Sequence, residues 1–203
     1  MPRPKKTTAE LEAMREQILD TTYSILQEEG PEAISSRTIA ERMGVAHMSL
    51  YTYFENQAAI LRALREREMA KWRAKQQLIE QCSETEDINQ VVQDMLVFFI
   101  SFARENPNLY RLAWVMPEVS GKSLLESRQR VQMTVGQLAQ LVTLGIEQGA
   151  FESHDPFLAA STALGMVNMP FILFHTGKIA EPVLRDRMVD EVLAAAMCYL
   201  KKK

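Results

Sequence analysis

Cysteine is nearly absent. Cys82 and Cys198 are the only two in 203 residues, too few and too far apart for a zinc module or a disulfide scaffold, and a reduced, cytoplasmic setting is the expectation. Histidine is almost as scarce, with His47, His154 and His175 alone. With no HExxH-like pair, no glycine-rich phosphate loop and no nucleophile set beside a base, no catalytic constellation can be assembled, so the chain is not expected to be an enzyme, to bind a metal or to carry a cofactor. Glycine and proline number eight each, which leaves most of the chain free for long regular elements. The longest strongly apolar run, Met95 to Ala103, is far short of a membrane span. The basic start Met1-Pro-Arg-Pro-Lys-Lys is not followed by the apolar core that a signal peptide needs, so a soluble intracellular protein with no membrane partner is expected. Positive charge is not in excess either. The formal net charge is -3, and any case for a nucleic-acid partner must rest on local features.

What the chain does have is helical periodicity. Apolar residues make up 47% and charged residues 24%, a balance that favours a folded core over disorder. Met14, Ile18, Ile25 and Leu26 recur at helical spacing, and the run stops at Gly30-Pro31, a residue that ends helices followed by one that cannot continue them. Strand-like alternation is missing. Further helical stretches are predicted from Asn56 to Cys82, Glu86 to Glu105, Asn108 to Val115, Ser123 to Gln148, Asp155 to Thr176 and Pro182 to Leu200. The fold class is therefore all-α, with about nine helices. Short helices give way to long ones near residue 55, which divides the chain into an N-terminal domain, 1–55, and a C-terminal helical domain, 56–203. The charges Arg62, Arg65, Arg67, Lys71, Arg73 and Lys75, opposed by Glu66 and Glu68, read as a solvated helical face.

The stretch from Ser35 to Asn56 is the most informative. With Ser36 as a helix N-cap, Ile39 and Met43 fall on one face and Ala40 sits where a second helix crosses closely. Gly44 follows one turn later, where a left-handed residue ends the first helix, and Val45 then enters a small core. Leu50, Tyr53 and Phe54 supply the buried side of a second short helix. Its outward side carries His47, Met48, Ser49, Tyr51 and Thr52, with no acidic residue to repel phosphate. A generic helical hairpin would explain the packing offsets but not that outward side; the pattern is that of a helix-turn-helix.

At these residues the sequence resembles the TetR family, through Thr38-Ile39-Ala40, Gly44-Val45 and the run Leu50-Tyr51-Thr52-Tyr53-Phe54, over roughly residues 13 to 62. The resemblance implies an N-terminal three-helix DNA-binding domain, with a recognition helix spanning about His47 to Tyr53. It also implies a C-terminal domain that dimerises and binds a small-molecule effector, and a role as a transcription repressor released from double-stranded operator DNA. A TetR-like activator, or a helical ligand-binding or adaptor protein that keeps the helix-turn-helix, are the alternatives. By the same resemblance His47 and Met48 face bases, Ser49 and Tyr51 contact phosphate, and Arg37 contacts DNA, with Thr38, Tyr53 and Gln57 completing the set. The basic arm of Arg3, Lys5 and Lys6 would add backbone or minor-groove contacts. Three residues depart from the family pattern. Ala46 stands where a Ser or Thr cap is usual, a loss of about 1 kcal/mol of helix stability. Met48 replaces a small residue, and Gln57 replaces a Lys, so it can hydrogen-bond to phosphate but releases no counterion.

Beyond residue 62 the resemblance thins to Asn106-Pro-Asn-Leu-Tyr-Arg-Leu and Gly145-Ile-Glu-Gln-Gly-Ala-Phe. Met95, Phe98, Phe99 and Phe102 form an apolar stripe, and Trp114, Met133, Phe171 and Phe174 add large soft side chains. Most such side chains are plain core in any bundle; the functional expectation is that they line an effector cavity between helices. Asn168 and His175, seven residues apart on one helical face, are spaced to orient a polar group of the effector, with a hydrogen-bonded structural histidine as the plain alternative. Pro170 in the same stretch must remove a backbone hydrogen bond and kink or break the helix. The final stretch turns Val189, Leu193, Ala196 and Leu200 toward its own core and leaves Met188, Val192, Ala195 and Tyr199 over. Pairing of the last two helices between two copies would bury that second face, giving a homodimer and a near-palindromic operator.

Overall fold

Caps decide where the helices start. The computed structural model describes residues 7–82, 87–116 and 121–201. Thr7 opens α1 (Thr8–Glu29) with a reciprocal box: its hydroxyl accepts the Glu10 N–H at 3.2 Å, and the Glu10 carboxylate accepts the Thr7 N–H at 2.7 Å, satisfying two donors that a helix start leaves bare. Gly30, at φ 89°, ends the helix and Pro31 follows. The next helix, α2 (Ser36–Met43), is capped by Ser35, whose hydroxyl takes the Thr38 N–H at 3.0 Å. The cap is thus one residue earlier than the sequence reading places it, and Ser36 is buried in the first turn instead.

After a short turn at His47–Thr52 come α3 (Gln57–Cys82) and α4 (Ile88–Glu105). A four-residue α5 (Pro107–Tyr110) runs into a π-helical turn, Arg111–Val115, and α6 (Gly121–Glu147), α7 (Pro156–His175) and α8 (Pro182–Leu200) follow. Among the described residues, eight α-helices and the turn at His47–Thr52 match the expected count, and the only β pairing is an isolated bridge between Phe151 and Lys201. The helix expected to kink or break at Pro170 is not broken there and runs on to His175. Pro170 is buried, so packing of α7 between α6 and α8 holds the helix against a cost of about 3 kcal/mol.

One continuous apolar core joins both ends of the chain. Ile18, Leu26, Ile39, Leu50, Ile60 and Leu64 fill its N-terminal part, and Val92, Leu96, Leu138, Val142, Ala160 and Leu164 its C-terminal part. The expected division at residue 55 falls just before α3, yet the first turns of α3 belong to the N-terminal packing. Arg67 reinforces this by pairing with Glu16 at 3.0 Å and Asp20 at 2.8 Å on α1. The charges of α3 are not simply solvated, as the sequence reading has them: Arg65 and Glu68 are buried, and Glu68 is compensated by Arg67 at 2.9 Å and Lys71 at 2.7 Å, as a buried carboxylate requires.

Candidate nucleic-acid interface and ligand cavity

The sharp turn after α2 is made by Gly44, at φ 67° and ψ 29°, with the Gly44 N–H bonded to the Glu41 carbonyl at 3.1 Å and the Val45 N–H to that of Ala40 at 3.0 Å. Those are the orphan carbonyls that a left-handed residue allows a helix to satisfy. Val45 does not enter the small core, as its spacing predicts. It is 37% exposed, because Ile39, Leu50 and Phe54 fill that core without it. Ala46 has extended backbone and no side chain that can cap. The following turn is wound as a 3-10 helix, with the Ser49 N–H returning to the Ala46 carbonyl at 2.8 Å; tightening is one way an uncapped start satisfies its donors.

The turn presents a mixed surface. His47, Met48, Ser49, Tyr51 and Thr52 are exposed, Met48 at 65%, while Leu50 is buried beneath them. The His47 and Tyr51 rings meet edge to face at 5.8 Å, and the Tyr51 hydroxyl donates to the Ser36 hydroxyl at 3.3 Å. Arg37 is exposed beside them, and Thr38 shares a 2.7 Å hydrogen bond with Ser35. Two residues of the expected contact set are held inward. Tyr53 is half-buried against the core, and the Gln57 amide nitrogen donates to the Ile34 carbonyl at 2.9 Å, pinning the start of α3. Arg15 of α1 secures the end of the turn, donating to the Tyr53 carbonyl with its guanidinium 4.2 Å above the Phe54 ring. The basic arm of Arg3, Lys5 and Lys6 lies outside the described residues.

Deeper in the molecule an aromatic cavity of about 200 Å³ opens between α3, α4, the π-helical turn and α6. Trp72 packs on Phe98 at 5.3 Å and on Phe102 at 4.9 Å. The π-helical turn brings Ala113 and Trp114 to the wall, a wide winding often found at functional positions. Of the residues expected to line a cavity, Phe98, Phe99, Phe102, Trp114 and Met133 do so. The other five do not. Met95 and Phe171 are fully packed core, Asn168 and His175 meet Tyr110, and Phe174 packs on His175. There the Tyr110 hydroxyl donates to the Asn168 side-chain carbonyl at 3.3 Å, and burial pushes that hydroxyl's pKa up. The His175 ring lies tilted against Tyr110 at 5.4 Å, and burial, with Arg111 and Arg185 nearby, holds its pKa below the ordinary value. Among the described residues no three His, Cys, Asp or Glu side chains are grouped to hold a metal ion.

Residues 18–64, from the middle of α1 to the second turn of α3, match the family described as bacterial regulatory proteins, tetR family. Over that stretch the chain is similar to the TetR family. Among its relatives, the nucleoid occlusion factor SlmA of Mannheimia succiniciproducens is 29% identical over 145 residues, 66% of this chain and 61% of that protein's length. Solved structures share the fold along nearly the whole chain. A protein from Saccharomonospora viridis described as a transcriptional regulator, in complex with choline, superposes with a TM-score of 0.76 at 15% identity, covering 95% of this chain and 100% of that one. The transcriptional regulator FadR of Bacillus subtilis, in complex with stearoyl-CoA, gives 0.70 at 18% identity, covering 91% and 98%.

The second apolar face lies elsewhere than expected. Val192 and Tyr199 pack against their own core, Tyr199 stacking on His154 at 5.1 Å, and Met188 is half-buried, because α8 rests on α4 as well as α7. Of that set only Ala195 is exposed. The unpartnered apolar residues are on α7: Leu158, Met169 and Ile172 share an outward stripe with Thr162 and Gly165, and Val183 and Leu184 continue it at the start of α8. Their spacing of four and three residues is regular, but the stretch is so apolar, with a mean hydropathy of 1.7, that sequence alone gives no inward side to subtract.

Proposed function

We propose that this chain is a cytoplasmic transcriptional repressor that binds a near-palindromic operator as a homodimer and is released when a small molecule fills the aromatic cavity. The observation that carries the reading is the turn His47–Thr52: its polar and apolar contact residues are all on the outside, its anchor Leu50 is buried, and it carries no acidic residue. His47 and Met48 read base edges, while Ser49, Tyr51 and Arg37 position the turn on the backbone. The two regions of the molecule fall to residues 1–55 for DNA and 56–203 for effector and partner, with α3 serving both. Selection of bound sequences from a random DNA pool tests this directly. His47→Ala and Met48→Ala are expected to change the selected sequence, and Tyr51→Phe to weaken every site by a similar factor. Unchanged selectivity in both alanine variants would remove these residues from base recognition.

The partner surface is assigned to the outward stripe of α7 with Val183 and Leu184. A helix apolar on all sides needs a neighbour on each, and the chain itself covers only the inner side of α7. Gly165, with open space where a Cβ would stand, lets a second helix approach closely. Ile172→Glu is expected to give a folded monomer in sedimentation that has lost most operator affinity; a charged variant that still sediments as a dimer would place the interface elsewhere. Choline and stearoyl-CoA, the molecules named with the two solved structures, are chemically unlike. The shared fold therefore does not choose the effector, and the residues lining this chain's own cavity must.

A further inference from the structure

The aromatic cavity is walled by rings that the chain itself leaves partly uncovered. Trp72, Phe98, Phe99 and Trp114 line it and each is half-buried, so ring surface remains for a ligand to cover. These rings are not stacked in parallel. Trp72 meets Phe98 at an interplanar angle of 53° and Phe102 at 76°, and Phe98 meets Phe99 at 65°, so edges as well as faces bound the space. The thioethers of Met69, Met116 and Met133 join that wall, and sulfur makes its favourable ring contacts at ring edges. With about 200 Å³ against the roughly 150 Å³ of an engineered apolar cavity that takes up benzene, the space suits in proportion a ligand of about eight carbons.

Resting on the effector reading above, we propose that the effector is a compact, uncharged aromatic molecule: a single substituted ring that sits among the aromatic walls, with its polar substituent toward α6. A flat ring placed among inclined rings gains offset and edge-to-face contacts beyond the burial of its area, and edge contacts with the thioethers as well. A saturated chain of the same carbon number gains only the burial, and it gives up more internal freedom on being confined.

A quaternary ammonium needs ring faces turned toward it, whereas a neutral ring uses a face on one side and an edge on another. Thr134 and Gln137, one turn apart on α6, line the same space and offer a hydroxyl and an amide to a phenol or ketone oxygen. Arg73, also in the lining, is engaged by Glu66 at 2.6 Å, and the ring and its substituent are recognised without it.

Probes of one size separate ring from chain: 4-ethylphenol, 4-ethylcyclohexanol and 1-octanol, each with eight carbons and one hydroxyl, and choline as the cation, titrated into the full chain. Trp72 and Trp114 are its only tryptophans and both line the cavity, so their emission, excited at the red edge where phenols do not absorb, reports occupancy with no DNA present. 4-Ethylphenol is expected to bind about five-fold more tightly than either saturated alcohol, with choline weakest. Ethylbenzene and ethylcyclohexane, which lack the hydroxyl, are expected to keep the same order, which assigns the preference to the ring and not to the more acidic phenol proton. A saturated alcohol bound as tightly as the phenol, preference for choline, or no binding by any probe would each overturn the proposal.

Trp72→Leu keeps an apolar wall and removes a ring. Read by calorimetry, it is expected to bring the preference for the phenol below about two-fold while the saturated alcohols bind as before, and Phe98→Leu is expected to do the same in part, which serves if Trp72→Leu does not fold. A preference untouched in a folded variant would overturn the proposal. Thr134→Val is expected to weaken 4-ethylphenol about three-fold and to leave ethylbenzene unchanged; equal effects on the two would overturn the orientation toward α6. Because occupancy is read without DNA, failure of the effector reading shows separately: a phenol bound with the expected preference that leaves affinity for the selected DNA unchanged would support the ligand class and overturn release through the cavity.

Discussion

Gly44 and Gly145 each sit beside a turn, and the chain needs them for different reasons. Gly44 has φ 67° and open space where a Cβ would stand, so its requirement is conformational. Gly145 lies within helical α6, and a Cβ there would fall 2.1 Å from the buried ring of Phe151, so its requirement is spatial. The first is set by its own neighbours. The second exists because the chain doubles back: the Ala150 and Phe151 N–H groups both bond to the Gly145 carbonyl, at 2.9 and 3.1 Å, and the Glu152 N–H bonds to the Leu200 carbonyl at 2.9 Å. The sharp turn after α2 is a local solution, set by a cap and one left-handed residue, whereas the turn after α6 is fixed also by a contact with the distant end of α8.

That contrast can be broken most strongly at Gly145. Placing Ala there overpacks a filled site and is expected to lower unfolding free energy by about 3 kcal/mol in urea titration, with part recovered when Phe151→Leu is added. Wild-type stability in Gly145→Ala would show that the ring is not a constraint. Gly44→Ala is expected to cost less, about 1 kcal/mol, and Gly44→Asn less again, since Asn tolerates the left-handed region; equal losses for Ala and Asn would mean that backbone conformation is not the reason. Ala46→Ser sharpens the local side of the comparison. Restoring a cap is expected to add up to about 1 kcal/mol and to tighten operator binding a few-fold, and a neutral result in thermal unfolding would show that the 3-10 winding already satisfies those donors. The smallest expected effect is on the long-range side. His175 is kept neutral by burial first and by Arg111 and Arg185 second. The unfolded chain therefore takes up a proton on this ring before the folded one does, and this contribution is complete above about pH 6.5 and declines as pH falls through that value. His175→Gln should flatten the decline in thermal midpoint between about pH 7 and 5, and an unchanged slope would assign that decline to other groups.

The same division explains what could be read from the residues alone. Helix ends marked by Gly30-Pro31 and by Gly44 stand where local chemistry puts them, and the turn His47–Thr52 exposes the side chains its offsets predict. Ser35 and Ser36 could not be told apart as caps because either hydroxyl suits the role, and only the backbone path selects Ser35. The cavity was half legible. Phe98, Phe99 and Phe102 follow from a helical stripe, but Met69, Trp72, Val131 and Gln137 come from helices whose relative rotation no local pattern encodes. Met95 shares that stripe with Phe99 and Phe102 yet faces inward, because the α4 stripe is wider than the cavity. Pro170 leaves its helix unbroken for a related reason: its local cost is real, but long-range packing outweighs it.

Helix α3 is one rod of 26 residues, about 39 Å long at 1.5 Å per residue. Ile60 is embedded in the DNA-facing end and Trp72 in the cavity wall, roughly 18 Å apart along the axis. A rod converts angle into distance. Tilting it by about 5° displaces one end relative to the other by about 1.6 Å over that span, close to half the roughly 3.4 Å rise between stacked base pairs. Two such rods related by a two-fold axis would move in opposite senses and double the change. In the proposed dimer, an adjustment of that size at Trp72 would put two reading heads out of step with the turns of the double helix.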